Sequence, residues 1–254
     1  MTKQRNGIAR SAHLVQLFRH EATDPDAFYT FLADDTVECL EGFGPVAGAM
    51  AIDIGGGPGY TAEALRGAGA RCAVVEYSDD ELTLHGRTPV DAVRGDARSL
   101  PFRDGSVDLV HSSNVIEHLE GWDAMLDEMV RVLRPGTGVG YLSFSNWFSP
   151  WGGHETSPWH YFGGHFAVRR YEQHYGRPPK NSFGTTLFRL DIGPVLRWFE
   201  ARDDVEISRV APRYLPDWMQ WIVRVPAVRE FLTWNIAIVF RRTSATGDRA
   251  HGTG

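Results

Sequence analysis

Cysteine is scarce: Cys39 and Cys72 are the two in 254 residues. Two are too few for a disulfide scaffold or a cysteine-rich zinc site, and they suit a reducing cytoplasm. Cys72 falls in an apolar run and reads as a buried thiol. A basic excess is also missing. Lys plus Arg is 26 against 32 for Asp plus Glu, a net charge of −6, with a sequence pI near 5.9. That balance argues against a dedicated nucleic-acid binder, although a local basic patch stays open. No apolar run reaches the ~20 residues a spanning helix needs. The longest candidate, Trp218 to Val228, is broken by Arg224 and Pro226. Met1 to Arg10 is polar and charged, so no signal peptide is expected there. Internal repeats are lacking, which sets aside solenoids and arrays.

What is present is a chain that is 43% hydrophobic and 23% charged. It can bury a core as one α/β domain with extra elements, or two small domains at most. The first 48 residues read as amphipathic helices. Leu14, Leu17 and Phe18, then Phe28, Phe31 and Leu32, fall at i, i+3, i+4 spacing. Thr23-Asp24-Pro25-Asp26 is a helix-start signal, and Gly42-Phe43-Gly44-Pro45 a stop.

From Ala49 the texture becomes alternating strands and helices. Strands are expected at Ala49–Gly55, Arg71–Tyr77, Val90–Gly95, Val107–Ser112 and Gly138–Phe144. Their short, nearly continuous apolar runs suit parallel strands covered on both faces. Helices are expected at Tyr60–Ala68 and Trp122–Leu133. This alternation predicts a doubly wound sheet. Residues 145–183 read as loop-rich, Val205–Val210 and Trp234–Arg241 as two closing strands, and Pro216–Leu232 as an apolar helical piece between them. The tail, 243–254, reads as disordered.

Ala51-Ile-Asp-Ile-Gly-Gly-Gly-Pro-Gly-Tyr60 follows a strand and opens a helix. Glycines at 55, 57 and 59 allow a tight turn and close approach of backbone to a ligand. N–H groups at the helix start can meet a polar or anionic group. A dinucleotide fingerprint needs glycine where Tyr60 stands. The spacing here is Asp53-x-Gly55-x-Gly57-x-Gly59 instead.

That spacing resembles motif I of class I S-adenosylmethionine-dependent methyltransferases. Three further segments agree, in order. Val74-Val75-Glu76 ends the second strand, Gly95-Asp96-Ala97 the third, and Leu100 to Asp108 leads into the fourth. Ser113-Asn-Val-Ile-Glu-His-Leu119 and Arg131-Val-Leu-Arg-Pro-Gly136 complete the pattern. The likeness covers residues 49–145 and is nearest to the ubiquinone/menaquinone-biosynthesis-type branch of small-molecule methyltransferases.

The resemblance implies a Rossmann-like, seven-stranded, mostly parallel sheet with helices on both faces. Its units are an N-terminal helical cap (1–48), a methyltransferase domain (49–242) with insertions at 145–183 and 214–232, and a tail. It implies S-adenosyl-L-methionine as cofactor. Gly55, Gly57 and Gly59 would approach its methionine part, with Asp53 supporting the loop. Glu76 would hold the ribose, and Asp96 with Ala97 would border the adenine. Tyr77 and Leu100 would wall that ring. Asn114 and His118 would face the sulfonium region.

The proton of the acceptor needs a base, and histidine titrates in the right range. His154, Glu155, His160 and Tyr161 lie within eight positions of one another after the fifth strand. His154 is the first choice, oriented by Glu155; His160 is second and His118 third. The plainer alternative is a rigid aromatic loop whose histidines only satisfy its own backbone. A metal is not predicted, because the second histidine lies six residues on rather than four. Arg19, His20 and Tyr29 are the polar residues of the cap to watch.

Trp218, Trp221, Ile222 and Val225 share one helical face by spacing, beside Arg213, Arg224 and Arg229. The simpler reading packs that face on the sheet or in the pocket; the alternative is an interfacial helix at a membrane. The expected activity is O-methylation of a small molecule, sugar, glycan or lipid-linked acceptor in the cytoplasm. The rivals are N- or C-methylation on the same fold, a non-catalytic cofactor-binding or partner protein, and, more distantly, a nicotinamide dehydrogenase.

Overall fold

The computed structural model describes residues 7–21 and 23–244. The expected tail lies outside these, apart from Thr243 and Ser244. The chain opens with α1 (Ile8–Arg19) and α2 (Pro25–Glu41). Pro25 takes the first helical position of α2, where a missing N–H is harmless, and the Asp24 side chain accepts from Ala27 N. Then follow β1 (Met50–Ile54), α3 (Tyr60–Gly67), β2 (Arg71–Glu76), a single turn α4 (Asp79–Leu82), β3 (Ala92–Arg94), β4 (Leu109–Ser113), α5 (Trp122–Val132) and β5 (Val139–Phe144). Beyond these lie α6 (Gly164–Tyr175), α7 (Ile192–Glu200), β6 (Val205–Pro212), α8 (Pro226–Leu232) and β7 (Ile236–Arg242).

The seven strands form one sheet in the order β3-β2-β1-β4-β5-β7-β6. The first five are parallel, and β7 is antiparallel to both neighbours. All seven strands occur where the sequence places them, with ends moved by a residue or two. The order reverses beside β1, so the carboxyl ends of β1, β2 and β4 open onto one crevice.

Two apolar clusters cover the faces. One joins Ile52, Ile54 and Val110 to Met125, Leu126, Met129 and Val130 of α5. The other joins Ala51, Val74 and Leu109 to Ala62 and Leu65 of α3 and to Val37 and Leu40 of α2. Leu14, Phe28 and Leu32 make a smaller cluster that holds α1 on α2.

The region 145–183 departs from its loop-rich reading, since α6 occupies twelve of its residues. Of that helix only Gly164, Ala167 and Tyr171 are buried, so its apolar stripe is too thin to show in the sequence. The segment 216–232 is not one helix. Asp217–Arg224 is a 3₁₀ stretch, Val225 is extended before Pro226, and α8 follows. At three residues per turn the expected i, i+3, i+4, i+7 face does not exist. Ile222 and Val223 turn inward, while Trp218 and Trp221 are 66% and 50% exposed. No described helix is long and apolar enough to cross a membrane.

Candidate active site

A cavity of about 1280 Å³ lies across the carboxyl ends of the parallel strands. One half is bounded by Gly55, Glu76, Tyr77, Asp96 and Ala97. The other is bounded by Tyr29, His118, Trp151, His154, Tyr214 and Trp234. Asn114 also lines the cavity, just past the end of β4, with φ of 55°. Its Oδ1 accepts from Asn235 Nδ2 at 2.8 Å, which fixes the amide between two strands.

Strand β1 ends in Asp53 and Ile54, and the glycine loop then turns sharply. Gly55 has φ of 65°, and a Cβ there would stand 2.2 Å from Val115 Cγ2. No side chain fits, so bare backbone meets the cavity. Gly57 and Gly59 do not line it. Gly57 donates its N–H to Glu76 Oε2 at 3.2 Å, and a Cβ on Gly59 would press on Pro89. Asp53 also lies beneath the loop rather than in the cavity. It is buried, 2.6 Å from His111 Nδ1, and its other oxygen sits under Gly56.

Glu76 ends β2 as the sequence places it. Its Oε1 accepts from the N–H groups of Tyr77 and Ser78 at 2.8 and 3.2 Å. The carboxylate therefore clamps the glycine loop to the strand end while lining the cavity. Asp96 is gripped by Arg98 through two side-chain bonds of 3.1 and 2.8 Å, which hold its carboxyl below the usual range. Tyr77 is 70% exposed at the cavity rim. Leu100 is not a wall. It is buried in the sheet–α5 core, with its N–H on Glu128 Oε2; Leu119 and Val115 line the cavity instead.

The expected base cluster separates. His154 lines the cavity, with φ of 49° and Nε2 buried without a partner. Burial, then the neighbouring His118, pulls its pKa down to about 4. Glu155 does not orient it. That carboxylate takes the N–H and Nδ2 of Asn181, each at 2.9 Å. Burial works upward on Glu155, but hydrogen bonds from its own backbone and from Asn181 outweigh it and lower its pKa. His160 is absent from the cavity wall. It is wholly buried, its ring edge-on to Trp147, and its Nε2 donates to Ser149 O at 3.1 Å. Burial lowers its pKa too.

His118 faces His154 edge-on at 4.9 Å between ring centroids, and its Nδ1 donates to Thr186 O at 2.6 Å. From the cap, Arg19 and Tyr29 reach the cavity, whereas His20 ends α1. Tyr29 donates to Glu21 Oε1 at 2.5 Å. Tyr214, Trp234, Phe188 and Thr186 come from segments far along the chain, and no local pattern marks them. His111 is different. A histidine within the run Leu109-Val-His-Ser-Ser113 is a polar interruption that the sequence does display.

Similar proteins point to one family. Residues 52–141 match the family described as a methyltransferase domain. A relative from Mycolicibacterium gilvum, named an uncharacterized methyltransferase, is 41% identical over 247 residues, covering 93% of this chain and 95% of its own. One from Mycobacterium tuberculosis is 39% identical, covering 93% and 96%. Among solved structures, an S-adenosylmethionine-dependent methyltransferase from Mesorhizobium loti aligns with a TM-score of 0.54 at 19% identity, covering 80% of this chain and 96% of its own. The last likeness concerns the fold alone. The bare Gly55 backbone, the strand-end carboxylates and the cavity size all fit the methyl donor that this family uses. By its fold and by the relatives matching it along nearly its whole length, the chain belongs to the class I S-adenosylmethionine-dependent methyltransferases.

Proposed function

We propose that the chain methylates an oxygen of a hydroxylated acceptor: a small molecule, a sugar or glycan, or a lipid-linked precursor. The observation that carries this reading is the continuity of the cavity. Its lining includes strand-end carboxylates and bare backbone together with aromatic walls and imidazoles. The likeness of residues 49–145 to the ubiquinone/menaquinone branch supports a small hydroxylated acceptor.

When bound, the cofactor supplies a methyl already activated on a sulfonium, whose bonding pair returns to sulfur on transfer. The protein's task is then alignment and water exclusion. Gly55, Glu76, Tyr77, Asp96 and Ala97 hold the donor, with Asp53, Gly57 and Gly59 supporting the loop from beneath. Asn114 faces the sulfonium region, where donor and acceptor meet. Trp151, Tyr214 and Trp234 supply flat apolar walls for the acceptor's body, and α1 and α2 close over it. His118 and His154 present the lone pairs nearest its hydroxyl.

Exposed Trp218, Trp221, Phe231 and Leu232 lie on the segment that runs into Trp234, which favours lipid-linked acceptors within the class. The test is release of S-adenosylhomocysteine across a panel of hydroxylated, amine and carbon-nucleophile acceptors, with vesicle-borne lipid-linked sugars included. Locating the methyl by NMR separates O- from N- or C-methylation. Turnover confined to amines or carbon acids would overturn the oxygen assignment.

A further inference from the structure

We propose that Glu117, His118 and His154 form a binding site for one divalent transition-metal ion at the floor of the acceptor half of the cavity. One donor atom from each lies within 4.8 Å of the others. A three-ligand site with bonds of about 2.0–2.2 Å needs its donors roughly 3–4 Å apart, so small side-chain rotations close the set.

Two of the three members carry a buried polar atom that a cation would satisfy. Glu117 is almost wholly buried. Its Oε1 accepts from Ser145 N at 3.1 Å, and Oε2 has no partner. Among the described residues no basic side chain forms an ion pair with it. A carboxylate held this way is costly unless a charge balances it. His154 Nε2 is equally unpartnered and buried.

The supporting contacts are those of a prepared site. His118 donates Nδ1–H to Thr186 O, which fixes the tautomer and leaves the Nε2 lone pair free. Ser145 N–H holds the carboxylate. His154 keeps a left-handed backbone that a non-glycine residue adopts only under constraint. Two imidazoles and one carboxylate favour manganese, iron, cobalt or zinc over magnesium or calcium. Three protein ligands leave open positions, as catalytic sites do. His118 and His154 both line the cavity, so those positions face the acceptor. The ion would bind the acceptor's oxygen there, and the hydroxyl proton would pass to water. That use rests on the methyl-transfer reading above; binding of the ion does not.

The test is calorimetry with MnCl₂, CoCl₂ and ZnCl₂ on the chelator-stripped full chain, with cofactor titrated separately. The expected result is one ion per chain, weakened about a hundredfold or more by Glu117→Gln and by His154→Ala. Glu155→Gln, the carboxylate next along the chain, should leave metal binding unchanged. Visible absorption of the cobalt-loaded wild type should show four- or five-coordinate nitrogen–oxygen ligation, which answers the question even if a variant fails to fold. Absence of stoichiometric metal binding by the wild type, or binding that survives both substitutions, overturns the site. Cofactor binding that persists in either case leaves the methyltransferase reading intact, and its loss in the wild type would strike that reading instead.

Discussion

His111 Nδ1 lies 2.6 Å from Asp53 Oδ1, between side chains that are both buried and that face each other in register across β1 and β4. The imidazole also stacks on Tyr141. The Asp53 carboxylate has no other hydrogen-bond partner, and its Oδ2 would stand 2.5 Å from a Cβ on Gly56. The pair is therefore a strut beneath the glycine loop. His111→Ala leaves a buried carboxylate uncompensated and should cost about 3–5 kcal/mol, read by denaturant unfolding. Gly56→Ala should impair cofactor binding with a smaller loss of stability, because the loop must lift off the carboxylate; calorimetric titration checks it.

Glu76 makes three backbone bonds and lines the cavity. Glu76→Ala should weaken S-adenosylmethionine and S-adenosylhomocysteine binding by about tenfold or more, since bonds to a charged group each contribute roughly 1.5–3 kcal/mol. Glu76→Gln should recover part of the affinity. Unchanged binding in the alanine variant would remove Glu76 from the cofactor site.

Glu128 joins Arg131 through bonds of 2.5 and 2.7 Å and also accepts from Leu100 N. The Arg131 guanidinium holds its carboxyl below the ordinary 4.5. Its folded value is the lower one, so its contribution is complete above about 4.5 and fades as the pH falls through the folded value. Glu128→Gln should cost about 1–2 kcal/mol at pH 7, and the gap to wild type should narrow below pH 4, measured by urea unfolding across pH.

His160 supports the loop after β5 from inside the protein. Gly153 packs on it so closely that a Cβ there would stand 2.5 Å from the ring. His160→Ala should lower stability by about 2–4 kcal/mol. Turnover per folded molecule should stay within a few-fold of wild type, whereas His154→Ala, which removes a cavity-lining imidazole, should lower it by more. A pH–rate profile that loses a limb in the His160 variant, with stability unchanged, would contradict this.

Four of the parallel strands, β1, β2, β4 and β5, were legible because they are apolar runs covered on both faces, whereas β3 is a short, largely exposed edge strand. The glycine loop was legible because only glycine permits its turns. Glu76, Asp96 and Asn114 were legible because they sit where strands end, and a strand's end is a local property. His154 and His160 could not be separated by sequence. They share a composition and a neighbourhood, and only packing sends one ring to the cavity and the other to the back of Trp147. Leu100 looked like a wall from its place after β3, but the turn carries its side chain into the α5 core.

By itself the sequence determined the sheet and the glycine loop, since these rest on periodicity and on backbone restrictions within a few residues; the family came from the resemblance of its motifs to a known one. Tertiary structure alone decided the aromatic, imidazole-bearing half of the cavity. Its walls come from α1, α2 and the segments around His118, Trp151, Thr186, Tyr214 and Trp234. Their meeting depends on how β7 inserts between β5 and β6 and on where α1 and α2 settle. The same long-range packing brings His154 to Glu117 and His118, 37 and 36 residues away along the chain. No local pattern encodes such a contact, because the free energy that fixes it is distributed over the whole core.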